Sequence, residues 1–175
     1  MGNPESKPAG VALPSTAVVA IIGAGTMGAG IAQLAAQAGH PVLLCDSVPG
    51  AAEKAATRLG EVFARLAAKG KMSEAEAAAA ARRVAPVANL KHLAPAALVI
   101  EAMVEDLAAK KALFAELESI VAPEAIIATN TSSFSITALA DGLKRPERLA
   151  GMHFFNPAPI MALVEIVRGD ATAPA

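Results

Sequence analysis

The stretch Ala17–Asp46, AVVAIIGAGTMGAGIAQLAAQAGHPVLLCD, decides how this chain folds. Val18, Val19, Ile21 and Ile22 make a continuous apolar run with β-branched character, as in a strand buried on both faces. Gly23, Gly25 and Gly28 follow at once in the pattern G-x-G-x-x-G. Ile31, Leu34, Ala35 and Ala38 then recur at helical spacing, and Gly39 closes the helix. Pro41–Cys45 is a second apolar strand, with Asp46 at its end. The glycine pattern alone would say little. With a strand before it, a helix and strand after it and a terminal acid, it has the parts a dinucleotide-binding unit needs.

Each part has a mechanical reason. Gly23 lets the chain turn sharply out of the strand, Gly25 leaves room for a pyrophosphate, and Gly28 lets the helix pack closely on the sheet. The candidate cradle is therefore Gly23, Ala24, Gly25, Thr26, Met27 and Gly28. The helix start offers unpaired N–H groups and a partial positive charge to phosphates. Asp46 can accept hydrogen bonds from a ribose 2′,3′-diol and would repel a 2′-phosphate. Ser47, Val48, Pro49 and Gly50 supply no arginine to receive one, which favours NAD over NADP. The alternative is a glycine turn and a strand-end aspartate with no ligand.

At 175 residues the chain suits one α/β domain. It is 54% apolar, so a sizeable core can form, and only 3% aromatic, so helix packing should be close and small-residued. A net charge of −1 gives no electrostatic reason to expect nucleic acid or an anionic membrane as partner. Cys45 is the only cysteine, which excludes an internal disulfide and a cysteine-rich metal centre. It reads as a small core residue. Residues 1–15 carry Pro4, Pro8, Gly10 and Pro14 and read as a disordered lead-in without the layout of a secretory signal. The expectation is a cytoplasmic protein.

Beyond Asp46 strands and helices continue to alternate, which implies a doubly wound, mostly parallel sheet covered on both faces. Val48–Lys71 reads as a helix ended by Gly70, and Ser73 with Glu76 as a capping box opening the next. Strands are expected at Val84–Val87, Ala97–Met103, Ala125–Thr129, Leu149–Phe155 and Met161–Val167. Helices are expected from Leu107 to Pro123, with the apolar stripe Leu107, Leu113, Phe114, Leu117, Ile120 and Val121, and over Phe134–Ala140. The turn Asn156–Pro159 is too short for a crossover, so the last two strands should be antiparallel.

Ligands of open α/β sheets sit beyond the carboxyl ends of the strands. Besides the glycine loop, four polar groups fall there: Glu101 with Glu105, Thr131-Ser132-Ser133, His153 with Asn156, and Glu165. An acid inside ALVIEAMVED is costly to bury unless it is paired. His40 and His92 read as loop residues, whereas His153 stands at a strand end beside a polar turn. A neutral imidazole can take the proton released when an alcohol loses hydride to a nicotinamide, and a carboxylate on its other nitrogen would fix its tautomer. Glu165 follows His153 by twelve residues across a tight turn, so antiparallel strands can join them. Spacing alone leaves open a core histidine beside a solvated glutamate.

The set GAGTMGAGIAQ, VIEAMVED, ATNTSS, GMHFFNPAP and LVEIV resembles the NAD-binding domain of the 3-hydroxyacyl-CoA dehydrogenases, from about Val18 to Gly169. Its wording is similar to bacterial 3-hydroxybutyryl-CoA and 3-hydroxyadipyl-CoA dehydrogenases. The resemblance implies that His153 is the catalytic base, that Glu165 orients it, and that Ser132 touches both substrate and nicotinamide. It also implies that Asn156 helps hold cofactor and substrate, and that Glu105, Lys110 and Asp46 contact the cofactor. Lys69 matches a lysine that contacts the coenzyme A moiety, and reads equally well as a solvated helix-end charge. At Met161-Ala162-Leu163 the chain departs from the family's commoner lysine or proline at the middle position. The family continues into a helical domain that closes the substrate cleft and makes the dimer. Here residues 170–175 read as a loose tail, so the expectation is a domain covering residues 16–169 that lacks that helical partner. Such a chain would bind NAD but, alone, turn over slowly or not at all; its expected partner is a second copy or a separate helical chain, and the alternative is a non-catalytic NAD-binding or assembly module that needs such a helical partner. No metal is implied.

Overall fold

The computed structural model describes residues 13–174, so expectations for residues 1–12 and for Ala175 lie outside the described residues. The elements run β1 (Val19–Ile22), α1 (Thr26–Gln37), β2 (Val42–Cys45), α2 (Ala51–Ala68), α3 (Glu74–Arg83), β3 (Val84–Val87), β4 (Leu98–Glu101), α4 (Leu107–Leu117), β5 (Ile126–Thr129), α5 (Ile136–Ala140), β6 (Leu149–Phe154) and β7 (Val164–Arg168). Short 3-10 turns cover Leu90–Leu93 and Pro146–Arg148. All seven strands form one sheet in the order β3-β2-β1-β4-β5-β6-β7. Neighbours from β3 to β6 are parallel, and β7 pairs antiparallel with β6. The strand order reverses between β1 and β4, where an open α/β sheet leaves a crevice at its carboxyl edge.

The continuous apolar run of β1 follows from burial on both faces. Val19 and Ile21 point into a layer with α1, α2 and α3 that includes Ile31, Leu44, Phe63 and Phe154. Ala20 and Ile22 point into the opposite layer with Leu93, Phe114, Leu117, Leu139 and Leu149. Alternate residues of one strand thus serve two cores. Cys45 belongs to the second core, and its burial, with Asp46 adjacent, pushes the thiol pKa up.

Helix starts follow local chemistry. Ser73 Oγ accepts from the Glu76 N–H at 3.1 Å while Glu76 Oε2 accepts from the Ser73 N–H at 2.7 Å, a complete capping box. The Ser73 N–H and hydroxyl, both donating to Glu76 Oε2, hold that carboxyl below its ordinary range. Asp106 and Ser135 each cap a helix by one side-chain bond, accepting from the Ala109 and Ala138 N–H groups at the starts of α4 and α5, so the second of these begins at Ile136 rather than Phe134. Gly50, at φ +77°, delays α2 to Ala51.

Several boundaries differ from the sequence reading. α4 ends at Leu117, and Ile120 and Val121 close tight turns before Pro123. Leu107, expected in the apolar stripe, is exposed on its first turn. β7 starts at Val164 rather than Met161, and His92 sits in a 3-10 turn rather than a loop. Residues 170–173 are not a loose tail. Thr172 Oγ1 donates to the Leu149 carbonyl at 2.7 Å and accepts from the Gly169 N–H at 2.9 Å, and the Ala173 N–H donates to the Glu147 carbonyl at 2.8 Å. The segment folds back because a threonine hydroxyl there can both donate and accept.

Packing of α1 on the sheet depends on Gly28. A Cβ there would lie 1.8 Å from the Gly23 carbonyl oxygen, a contact backbone cannot relieve locally. Gly60, within α2, has nothing within 4 Å of such a Cβ. Chemical denaturation should therefore separate the two substitutions. Gly28→Ala should destabilise by about 1–3 kcal/mol or more, as overpacking does, whereas Gly60→Ala should stabilise by about 1 kcal/mol through helix propensity.

Candidate active site

The glycine loop leaves β1 at Gly23, whose φ of +102° only glycine adopts cheaply. A side chain there would also meet the Ala102 carbonyl oxygen at 2.5 Å, so the loop lies directly against the chain leaving β4. α1 follows Gly25 at its N-cap and so has no side-chain cap, unlike α3, α4 and α5. A Cβ on Gly25 would meet nothing within 4 Å. The first N–H groups of α1 thus face an open cradle that a side chain would fill, which is the shape and polarity a pyrophosphate requires.

Asp46 does more than stand at a strand end. Its Oδ2 accepts from the Ala24 N–H at 2.6 Å and its Oδ1 from the Val48 N–H at 2.8 Å, tying the glycine loop to β2. Each oxygen keeps a lone pair for a further donor such as a ribose hydroxyl. A cavity of about 590 Å³ opens here, lined by Gly23, Gly25, Asp46, Val48, Asn89 and Met103 among others. A second, of about 450 Å³, lies across the loop between α1, α2 and the Asn156–Pro159 turn. Its rim includes Thr26 and Arg58, and its walls include Ala29, Leu59, Val62 and Ala158. Asn156 lines it and is exposed. Ala24 is buried, and Met27 packs against the first core layer. Lys69 is the exposed residue that caps α2.

The far end of the crevice is built by side chains from β4, α4, β5 and β6. Glu101 is fully buried at the end of β4. Its Oε1 accepts from Lys110 Nζ at 2.6 Å and from the Met103 N–H at 2.6 Å, and its Oε2 from Thr129 Oγ1 at 2.6 Å. Lys110, 1% exposed, also lies 3.4 Å from Glu105 Oε2. It therefore meets the rim of the site through Glu105 rather than at the open surface. Glu105 Oε1 in turn accepts from Thr131 Oγ1 at 2.8 Å and from the Ser132 N–H at 3.3 Å. Ser132 is exposed above them. Asn130 Oδ1 accepts from the Phe154 N–H at 2.8 Å, which fixes the serine loop against the strand of His153.

His153 and Glu165 face each other across the β6–β7 ladder. His153 Nδ1 lies 2.9 Å from Glu165 Oε2. A carboxylate only accepts, so Nδ1 carries the proton and Nε2 of the neutral ring carries the free lone pair. The ring rests on Phe155, centroids 4.6 Å apart, and the His153 side chain is 20% exposed. His40 instead contacts the Ala17 carbonyl through Nδ1 at 3.1 Å, away from this pair. Sequence reasoning missed Asn130, Thr129 and the choice of Lys110 as the partner of Glu101. The only available signal was a polar residue at each strand end. Among the described residues no group of three histidine, cysteine or acidic side chains could hold a metal, and no helix is long and apolar enough to cross a membrane.

The ribose-binding role of Asp46 is open to calorimetry, which the absence of tryptophan and tyrosine makes preferable to intrinsic fluorescence. Asp46→Ala should weaken NAD binding by about 1–3 kcal/mol, since it removes a charged acceptor and frees the Ala24 N–H. An unchanged titration would rule the role out.

Residues 18–175 match the family described as 3-hydroxyacyl-CoA dehydrogenase, NAD binding domain. The chain is 51% identical over 158 residues to the 3-hydroxyadipyl-CoA dehydrogenase of Escherichia coli K12, covering 89% of this chain and 33% of that protein. It is 46% identical over 155 residues to a probable 3-hydroxybutyryl-CoA dehydrogenase of Bacillus subtilis, covering 89% of this chain and 54% of that one. The crystal structure of a 3-hydroxybutyryl-CoA dehydrogenase from Escherichia coli K12 superposes with a TM-score of 0.88 at 49% identity, covering 90% of this chain and 34% of that one. The chain thus spans about a third to a half of the length of these relatives. With a reversed strand order, an open glycine cradle and an acid at the end of β2 all in place, the chain belongs to the 3-hydroxyacyl-CoA dehydrogenase family and forms its NAD-binding domain.

Proposed function

We propose that this domain serves the interconversion of 3-hydroxyacyl-CoA and 3-oxoacyl-CoA, with His153 as the base. The observation that carries the reading is the 2.9 Å contact from His153 Nδ1 to Glu165 Oε2. It leaves Nε2 unprotonated, with its lone pair able to receive a hydroxyl proton, and it stabilises the imidazolium that results. Bound NAD supplies the hydride acceptor. Ser132, held through its N–H by Glu105, has its hydroxyl free to bond the substrate oxygen or the nicotinamide amide. Asn156, at the mouth of the second cavity, can bond either ligand. That cavity has a mostly apolar lining with polar groups at its rim, which suits an acyl-pantetheine arm. Lys69, at the exposed end of α2, is assigned to the anionic part of coenzyme A.

A specific observation favours a second reading, in which turnover requires a covering element from further chain or from a partner, including a second copy. Ile160, Met161, Leu163, Ile166 and Val167 are all exposed in the segment that follows the catalytic turn. Ser132, Glu105 and His153 line neither of the two cavities, and Ser132 and Glu105 are exposed. Hydride transfer is faster where water is excluded and the reactants are fixed. On this reading the domain binds the cofactor alone and reacts when covered.

Both readings are tested by following NADH oxidation with acetoacetyl-CoA. His153→Ala should lower the rate by on the order of a hundredfold to ten-thousandfold, the usual worth of a general base. NADH binding should be unchanged by calorimetry. Equal and measurable rates with and without the imidazole would remove His153 from the mechanism. A fully active isolated domain would sink the second reading.

A further inference from the structure

We propose that Glu101 is the positioning residue for the nicotinamide end of the site, acting through Lys110 on Glu105 and Ser132. The inference rests on the reading above that this rim receives the nicotinamide half of NAD.

Glu101 is an expensive residue to place where it is. It has no solvent exposure, and it sits in a strand whose neighbours are apolar. A buried ion pair is often no more stabilising than a well-packed apolar pair. Burial of the Glu101–Lys110 pair therefore contributes little that a leucine and a methionine could not. What an apolar pair could not supply is direction. Glu101 is closed inward, with three donors at 2.6 Å from three separate segments: Lys110 Nζ, the Met103 N–H and Thr129 Oγ1. The network reaches the rim by two routes: Thr129 Oγ1 accepts from the Thr131 N–H at 3.3 Å, and the Lys110 ammonium provides the other. Lys110 Nζ passes to Glu105 Oε2 at 3.4 Å, and Glu105, 41% exposed, holds Thr131 Oγ1 and the Ser132 N–H.

Lys110 thus stands between two carboxylates. With Glu101 holding the ammonium deep in the fold, Glu105 is drawn inward only weakly and its Oε1 remains on the serine loop. Removing the negative charge of Glu101 leaves Glu105 as the sole anion beside the buried ammonium. Glu105 is then pulled toward Lys110 and away from Thr131 and Ser132, while the covalent framework stays the same. Glu101 acts from beneath the site and touches no reacting atom.

Glu101→Gln separates this role from a general structural one. Glutamine can keep its carbonyl at the Oε1 position, still accepting from the Met103 N–H, so the cavity beside Asp46 that Met103 lines is preserved. Calorimetric titration of the chain with NAD and with ADP, which spans only the adenosine and pyrophosphate half, should give split results. NAD binding should weaken by about tenfold, the scale of a charged hydrogen bond, and ADP binding should stay within about twofold of the unaltered chain. Glu105→Gln should show the same split. The double variant should lose little more than either single one, because the two residues act in series. Equal losses for NAD and ADP, no loss for NAD, or additive losses in the double variant would overturn the proposal. Unchanged NAD binding in Glu105→Gln would overturn the placement of the nicotinamide on this rim, and the proposal with it. Should Glu101→Gln fail to fold, the neutral pair Glu101→Gln with Lys110→Met decides. It leaves no unpaired buried charge, keeps the acceptor for the Met103 N–H and the Thr129–Thr131 bond, and takes the ammonium from Glu105, so it should show the same split; no loss for NAD, or equal losses for NAD and ADP, would overturn the proposal.

Discussion

The near-contact of α1 with the turn that precedes it governs the rest of this structure. Only a hydrogen at the Cβ position of Gly28 permits it, because a carbon there would lie 1.8 Å from the Gly23 carbonyl oxygen. That closeness sets the α1 axis against β1 and aims its first, uncapped turn beyond the sheet edge. The loop is pressed in turn against the chain leaving β4, with the Ala102 carbonyl where a Gly23 side chain would be. Asp46 then bonds the Ala24 N–H from the other side. Three strand ends are locked to one loop of backbone, and the crevice between them is fixed before any ligand arrives. A site made of backbone N–H groups and a helix dipole needs that rigidity, because such groups cannot reorient individually.

The two ends of the site differ in how they are made. The dinucleotide end is local: Gly23, Gly25, Gly28 and Asp46 fall within one strand-helix-strand unit, and their spacing alone implies their geometry. The end proposed for the reaction is assembled from residues far apart in the chain. Glu101, Lys110, Thr129, Ser132 and His153 come from four elements and the loop after β5, and converge only because β4, β5 and β6 are neighbours in the sheet. The burial cost of each polar group is met by another from a different element. This end can therefore be perturbed from below without touching the cradle.

The same division explains what could be read from sequence. Periodicity revealed the strands and most helices, because a strand buried on both faces and a helix buried on one leave different apolar patterns. The Ser73–Glu76 box and the antiparallel last pair were legible from short-range chemistry. Helix ends were less so. α4 stops at Leu117, and the following apolar residues pack from turns, which preserves the hydrophobic spacing that suggested more helix. The Glu101 carboxylate was recognisable as needing a partner, but a lysine nine residues on is one of several candidates until the sheet order is known. Asn130 was hidden for the same reason: its partner is a backbone N–H on another strand.

The misread tail bears most directly on the His153–Glu165 pair. β7 is an edge strand, paired on one side only, and such strands can slip. A slip of one residue would turn Glu165 to the opposite face and bring Val164 or Ile166 opposite His153. What opposes this lies on both sides of the ladder. Gly151 sits opposite Val167, where a Cβ would meet the valine Cβ at 2.9 Å, so the bulky side chain is accommodated at that register position. Beyond Arg168 the chain turns, and Thr172 bonds both the Gly169 N–H and the Leu149 carbonyl at the start of β6. The Asp170 N–H adds a bond to Thr137 Oγ1 in α5 at 3.0 Å. The residues expected to hang loose pin the far end of β7 to the beginning of the strand that carries His153. The register that joins imidazole to carboxylate is thus held at the opposite end of the ladder from the pair itself.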